Sequence, residues 1–257
     1  MQSLLEEFVL SQIIVYILVF CRVGTAMMVM PGIGDSFIPS NVRILFAVAF
    51  TIVVSPVASA YIPEVTTNTL LISLIIAEII IGFFIGTVAR IFMAALDTAG
   101  MLISLNMGIS NAQIFNPQMA GQGSIIGAFL SIVGAVLLFS TNLHHMLIYG
   151  LIDSYKTFPI NGALPMVEGM SQTIVLAVAK SFKIGFLMAV PFLVISLFLY
   201  IAMGVLGRLM PQIQVFILAL PIQIGLGMIA LIMVMAPMLL YWLGHYDDAL
   251  QLFFQKF

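Results

Sequence analysis

Apolar residues in this chain gather into six long runs separated by short polar breaks: Phe8–Met30, Val42–Ser59, Leu70–Leu96, Ser124–Ile152, Thr173–Val205 and Ile213–Leu243. A helix crossing the hydrocarbon core of a bilayer needs about 20 apolar residues, and each run is close to that length or longer. Backbone surrounded by lipid must satisfy its own hydrogen bonds, so the runs are predicted to be helices. A seventh run, Ala99–Ile114, is shorter and weaker. Pro191, Pro221 and Pro237 stand inside the longer runs. Each proline removes one i→i−4 bond and crowds the preceding turn, which predicts bends or breaks at those points. The pattern gives an all-α membrane protein with six to seven long hydrophobic helices, several kinked or broken at proline.

The weak seventh run leads into an island of a different kind, Ser110 to Ser124. Its amides are Asn111, Gln113, Asn116, Gln118 and Gln122, with the hydroxyls of Ser110 and Ser124 and the flexible backbone of Gly121 and Gly123. Ala112, Ile114, Phe115, Pro117, Met119 and Ala120 fill the rest. No Asp, Glu, Lys or Arg occurs anywhere between Asp97 and Asp153. Loops in bulk water usually carry charge, so the island is expected to sit in a buried or restricted place.

Composition narrows the class. The chain is 63% hydrophobic and 7% charged, with a mean hydropathy of +1.23, against about 25% charged residues in a soluble domain. The surplus apolar surface must face lipid or partner subunits. A net charge of −2 provides no basic field for nucleic acid. Cys21 is the single cysteine, so no intrachain disulfide is available, and in an apolar run a free thiol acts as a small hydrophobe. The N-terminal MQSLLEE lacks the basic n-region of a cleaved signal, so the first run is expected to be retained.

Charge placement complicates a simple membrane topology. With six spans, Arg43, Arg90 and Arg208 fall on one side and Lys156, Lys180, Lys183 and Lys256 on the other, which gives no positive-inside bias. Arg22, Glu78, Lys180 and Lys183 lie within apolar runs, where a charge facing lipid costs about 2.5–3.5 kcal/mol. Arg90 and Asp97 are seven residues apart on one helical face, placed either to meet partners on other helices or to be solvated at a helix end. Lys180 and Lys183 also share a face. They suit a partner carboxylate, a lipid headgroup, or a watery helix start whose apolar part begins near Ile184.

Gly82 and Gly86 form a small-xxx-small pair, and Ser124, Gly127, Ser131 and Gly134 place small residues along another face. Such faces admit close backbone approach, either within the chain or at a subunit interface. At the C-terminus, residues 244–257, Leu250, Phe253, Phe254 and Phe257 recur at helical spacing opposite Asp247, Asp248, Gln251 and Gln255. That spacing predicts a short amphipathic helix. Enzymatic chemistry finds no support: His144 and His145 are adjacent and splay about 100° apart on a helix. No H-E-x-x-H, G-x-S-x-G, phosphate-binding glycine loop or cysteine cluster is present, and no metal or cofactor is expected.

Three stretches together resemble the FliR family of flagellar type III export gate proteins. They are "FIPSNVRILFAVAFTIVVSP" with Pro39, Arg43 and Pro56; "DTAGMLISLNMGISNAQIFNPQ", Asp97 to Gln118, with Gly100, Gly108 and Asn116-Pro117; and "GRLMPQIQVFILALPIQI", Gly207 to Ile224, with Pro211-Gln212 and Pro221. Gln214 stands where the family would have Asn, a change that keeps the amide. The resemblance covers essentially the whole chain and implies one FliR-type domain over 1–257. It implies a non-enzymatic subunit at the bacterial inner membrane, in the flagellar basal body. There the chain joins FliP-like and FliQ-like subunits in a closed helical assembly around a secretion pore, associates with an FlhB-like subunit, and passes unfolded flagellar proteins. Family helices pack largely as hairpins against partners, many lifted out of the bilayer plane. The family's central loop is a pore plug and maps here to Asn106–Gly123. A neutral plug has a physical logic, because fixed charges would hold passing chains by Coulomb attraction. Amides satisfy buried backbone without that penalty. Three other readings stand beside this one: the homologous injectisome export subunit, a small-molecule secondary transporter, for which the chain shows no convincing internal repeat, and a structural assembly factor with no pore contact.

Overall fold

Uninterrupted apolar sequence becomes helix wherever no residue forces the backbone out of it. The computed structural model describes residues 2–35, 37–63, 65, 67–110, 124–160, 167–209 and 215–255, and helices are the only regular structure among them. In chain order these are α1 (Gln2–Val29), α2 (Ser40–Ala58), a 3₁₀ turn (Ser59–Tyr61), α3 (Asn68–Asn106), α4 (Ile125–Ser140), α5 (Leu143–Thr157), α6 (Val167–Leu209) and α7 (Val215–Gln255). By length and apolar composition α1, α2, α3, α6 and α7 can each cross a membrane, and the bent pair α4–α5 raises the number to six. The protein is an all-α membrane protein.

Several expected boundaries move. The runs Leu70–Leu96 and Ala99–Ile114 are not two helices: α3 passes without a break through Asp97 and Thr98 to Asn106. A polar side chain interrupts hydropathy but not a backbone ladder, and Asp97 finds its own partner in the Ser131 hydroxyl. Conversely, Ser124–Ile152 is not one helix, because α4 and α5 meet at a 74° bend. Asn142 makes the corner in the left-handed region, with φ 62° and ψ 15°, a conformation that asparagine tolerates better than most side chains. Pro191, Pro221 and Pro237 do not end helices; they lie inside α6 and α7. One missing bond in a ladder of 43 residues, or two well separated in one of 41, leave the neighbouring bonds to hold the helix together. The C-terminal segment as far as Gln255 is likewise the last part of α7 rather than a separate helix.

The chain divides into two compact units, 1–92 with 138–177 and 248–257, and 93–137 with 178–247. In the first, α3 packs on α1 through Gly82 and Gly86. A Cβ at Gly82 would strike the Thr25 hydroxyl and the Arg22 carbonyl, and one at Gly86 would come within 2.7 Å of the Ala26 carbonyl. In the second, Gly100 of α3 meets Gly127 of α4 backbone to backbone, and a Cβ at Gly134 would strike Leu96. Both small-residue faces therefore serve packing inside the chain.

Candidate functional site

The two ends of the neutral island are built by hydroxyls and amides set into otherwise apolar helices of the second unit. On the entry side, α3 ends at Asn106, and Gly108 follows with φ 75°, the left-handed residue that closes many helices. The Met107 amide donates to the Ile103 carbonyl at 2.8 Å, and the Gly108 amide donates to Leu105 at 3.2 Å. Asn106 is held on three sides. Its Nδ2 donates to the Leu102 carbonyl at 2.7 Å, its Oδ1 accepts from the Ser196 hydroxyl at 2.8 Å, and its carbonyl accepts from Gln223 Nε2 at 2.6 Å. Gln223 also donates to the Tyr200 hydroxyl at 3.3 Å. Met107 and Gly108 are buried, while Ile109 and Ser110 are half-buried.

On the exit side the key residue is Ser124. Its hydroxyl donates to the Gly100 carbonyl at 2.9 Å and accepts from the Gly127 amide at 3.1 Å, which caps the start of α4. A third bond, 2.6 Å long, joins it to the buried Ser104 hydroxyl. A serine has one proton to give, and that of Ser124 goes to Gly100, so Ser104 is the donor to Ser124. Ser104 also touches the entry side, since its carbonyl accepts from the Ser110 amide at 3.4 Å. Entry and exit thus close on the same turn of α3. Asn111 to Gly123 lie outside the described residues.

In the first unit the two most costly charges of the sequence solve each other. Arg22 of α1 and Glu78 of α3 form a two-pronged pair, Nε to Oε2 and Nη2 to Oε1, both 2.7 Å, with side-chain exposures of 0% and 1%. The remaining guanidinium protons reach the Ser154 hydroxyl at 3.2 Å and the Phe158 carbonyl at 2.9 Å. The guanidinium also lies 4.1 Å from the centre of the Tyr155 ring. The planar fork of arginine matches a carboxylate in a way that lysine could not. α1, α3 and the end of α5 are tied together at one buried charge pair.

Other predicted charges separate. Arg90 is half-exposed and meets Asp35 at 3.3 Å and the Val29 carbonyl at 3.2 Å, which holds the turn after α1. Asp97 accepts from Ser131. Lys180 and Lys183 are exposed on α6 and have no carboxylate partner among the described residues. α6 starts 13 positions before Lys180, so the pair does not mark its beginning. Sequence reasoning missed Ser104, Ser196, Tyr200 and Gln223. Gln223 was the most visible of these, an amide two residues after Pro221 with apolar residues on either side.

Comparison with known proteins adds an independent line. The profile of the family described as bacterial export proteins, family 1, matches residues 13–249. The flagellar biosynthetic protein FliR of Caulobacter vibrioides is 38% identical over 94% of this chain and 96% of its own length. The proteins of the same name from Aquifex aeolicus and Bacillus subtilis are 28% and 30% identical, covering 96% and 86% of this chain and 94% and 86% of their own lengths.

Proposed function

The chain belongs to the bacterial export proteins of family 1, and from that premise we propose that it is a non-enzymatic subunit of the flagellar type III export gate. In this reading it sits in the bacterial inner membrane at the flagellar basal body. It assembles there with FliP-like and FliQ-like subunits around a pore, next to an FlhB-like subunit. Unfolded flagellar proteins pass through, and the loop Asn106–Gly123 seals the pore at rest. The observation that carries the reading is the match along nearly the full length to relatives that are all named flagellar biosynthetic proteins. That naming favours a flagellar role over an injectisome one.

Two physical features support it. α3, α6 and α7 have 39, 43 and 41 residues, which at 1.5 Å per residue is about 58, 64 and 61 Å. A hydrocarbon core is about 30 Å thick and spans tilt by at most about 40°, so tilt alone cannot bury these apolar helices in one bilayer. Partner helices are the natural cover. The loop, for its part, carries no fixed charge, and it leaves α3 and enters α4 beside a single hydroxyl-lined turn of α3, which suits a stopper hung from a support.

The test is deletion of Ile109 to Gln122 in cells carrying the whole gate. The complex is expected to assemble at normal yield while the membrane becomes permeable to ions and small solutes, measured as conductance. A deletion variant that assembles and stays as tight as the wild type removes the sealing role.

A further inference from the structure

The two lysines in the middle of α6 stand on an outward stripe that is otherwise apolar. Lys180 and Lys183 are exposed and have no carboxylate partner among the described residues. At about 100° per residue, they share one stripe of the helix with Leu187, Val194, Leu197 and Ile201, all of them exposed. From Lys180 to Ile201 the stripe runs about 32 Å. The opposite side of α6 faces its own unit: Ile184, Met188 and Phe192 are buried, and a Cβ at Gly185 would come within 2.7 Å of the Ala95 carbonyl of α3. Turning the helix to hide the lysines would therefore break that packing.

A lipid headgroup is a poor match for the pair. Six apolar residues, Ile174–Ala179, precede Lys180 in the same helix, and Val175, Leu176 and Val178 among them are exposed. Headgroups level with the lysines would leave that stretch, about 9 Å of helix, outside the hydrocarbon. A purely apolar protein surface is no better, because a charge stripped of water needs a partner. A helix with an Asp or Glu opposite the lysines meets both demands: it covers the stripe and neutralises the amines. The acids set into this chain's own α3 are already held, Glu78 by Arg22 and Asp97 by the Ser131 hydroxyl, which favours another subunit over a second copy.

We propose that Lys180 and Lys183 dock an apolar helix of another gate subunit through an aspartate or glutamate that this helix carries, with Leu187 to Ile201 packed along the rest of its length. The inference rests on the reading of the chain as one subunit of an assembly, and it gives the chemistry of one contact in that assembly.

The experiment uses the assembled gate, purified with all partners in mild detergent. A carbodiimide joins an amine to a carboxylate only where the two touch. The expected product is an amide between the Nζ of Lys180 or Lys183 and an Asp or Glu of another subunit, identified by mass spectrometry of the peptides. Lys180→Met with Lys183→Met strands the partner's carboxylate and is expected to lower the yield of partner subunits about tenfold. Lys180→Arg with Lys183→Arg keeps the charges and is expected to assemble like the wild type. Four results overturn the inference. One is a cross-link only to a second copy of this chain. Another is no cross-link while both amines accept acetyl groups from a water-soluble reagent. The third is a methionine variant that assembles at wild-type yield. The last is a methionine variant that keeps its subunits but loses co-purifying anionic lipid, which would assign the lysines to headgroups. If no other subunit co-purifies with the wild-type chain, the gate reading falls and this contact with it. A wild-type gate that assembles with open lysines defeats the contact alone.

Discussion

At the scale of single residues, Arg22 and Glu78 show how a chain this apolar can carry full charges without exposing them to lipid. Removing one partner strands the other charge among apolar side chains, a change that costs about 3–5 kcal/mol. Glu78→Ala and Arg22→Ala are therefore expected to lower the melting temperature of the purified complex sharply. Arg22→Met with Glu78→Leu removes both charges at similar volume, and exchanges of this kind are often neutral or stabilising. The double variant is expected to melt well above either single one. Equal loss in all three would show that an unpaired buried charge is not what destabilises the single variants. Sequence alone marked both residues as misplaced charges, but 56 positions separate them, and no local spacing announces a pair across two helices. The same holds for Gln223 and Asn106, which are 117 positions apart. Side chains that could reach each other within a few turns were legible; those brought together by packing were not.

At the scale of elements, hydropathy located nearly all of the helices and misjudged where they end. The reason is that apolar runs report burial, whereas a helix ends where the backbone leaves its ladder. Asp97 lowered the hydropathy of α3 without touching its backbone, and Pro191 disturbed one bond of α6. Asn142 did the reverse: in a short polar stretch, Ser140 to His145, within a run whose overall hydropathy reads as one span, it turns the chain through 74°. A β-branched residue there meets the left-handed penalty of about 1–2 kcal/mol, whereas glycine adopts that conformation freely. Asn142→Val is accordingly expected to lower thermal stability by that amount and Asn142→Gly to leave it near the wild-type value, both read by thermal unfolding of the detergent-solubilised complex. If Asn142→Val unfolds like the wild type, the corner is not fixed by that residue's backbone. The small-residue faces were legible as contact surfaces; only the structure shows that they meet helices of the same chain.

At the scale of the whole molecule, apolar side chains remain uncovered on several helices: Leu45 and Val53 of α2 are each 70% exposed, and Ile232 and Met233 of α7 are 72% and 73% exposed. Together with helices about twice as long as a hydrocarbon core is thick, this predicts a chain that is stable only in company. Expressed alone it is expected to aggregate or be degraded, and co-expressed with FliP-like and FliQ-like subunits it is expected to co-purify in mild detergent. A monodisperse, well-folded monomer that binds neither would contradict this. The buried charge pair also has a consequence in time. Chains emerge at about 5–20 residues per second, so across the 56 positions between them Arg22 reaches the membrane about 3–11 s before Glu78 does. For that interval α1 holds a bare guanidinium and has no favourable resting place in lipid. The first helix must wait, half-inserted or sheltered by the insertion machinery, until the third one arrives with its carboxylate. Nascent chains halted before Glu78 should therefore be extractable from membranes by alkaline carbonate, and those halted well beyond it should not.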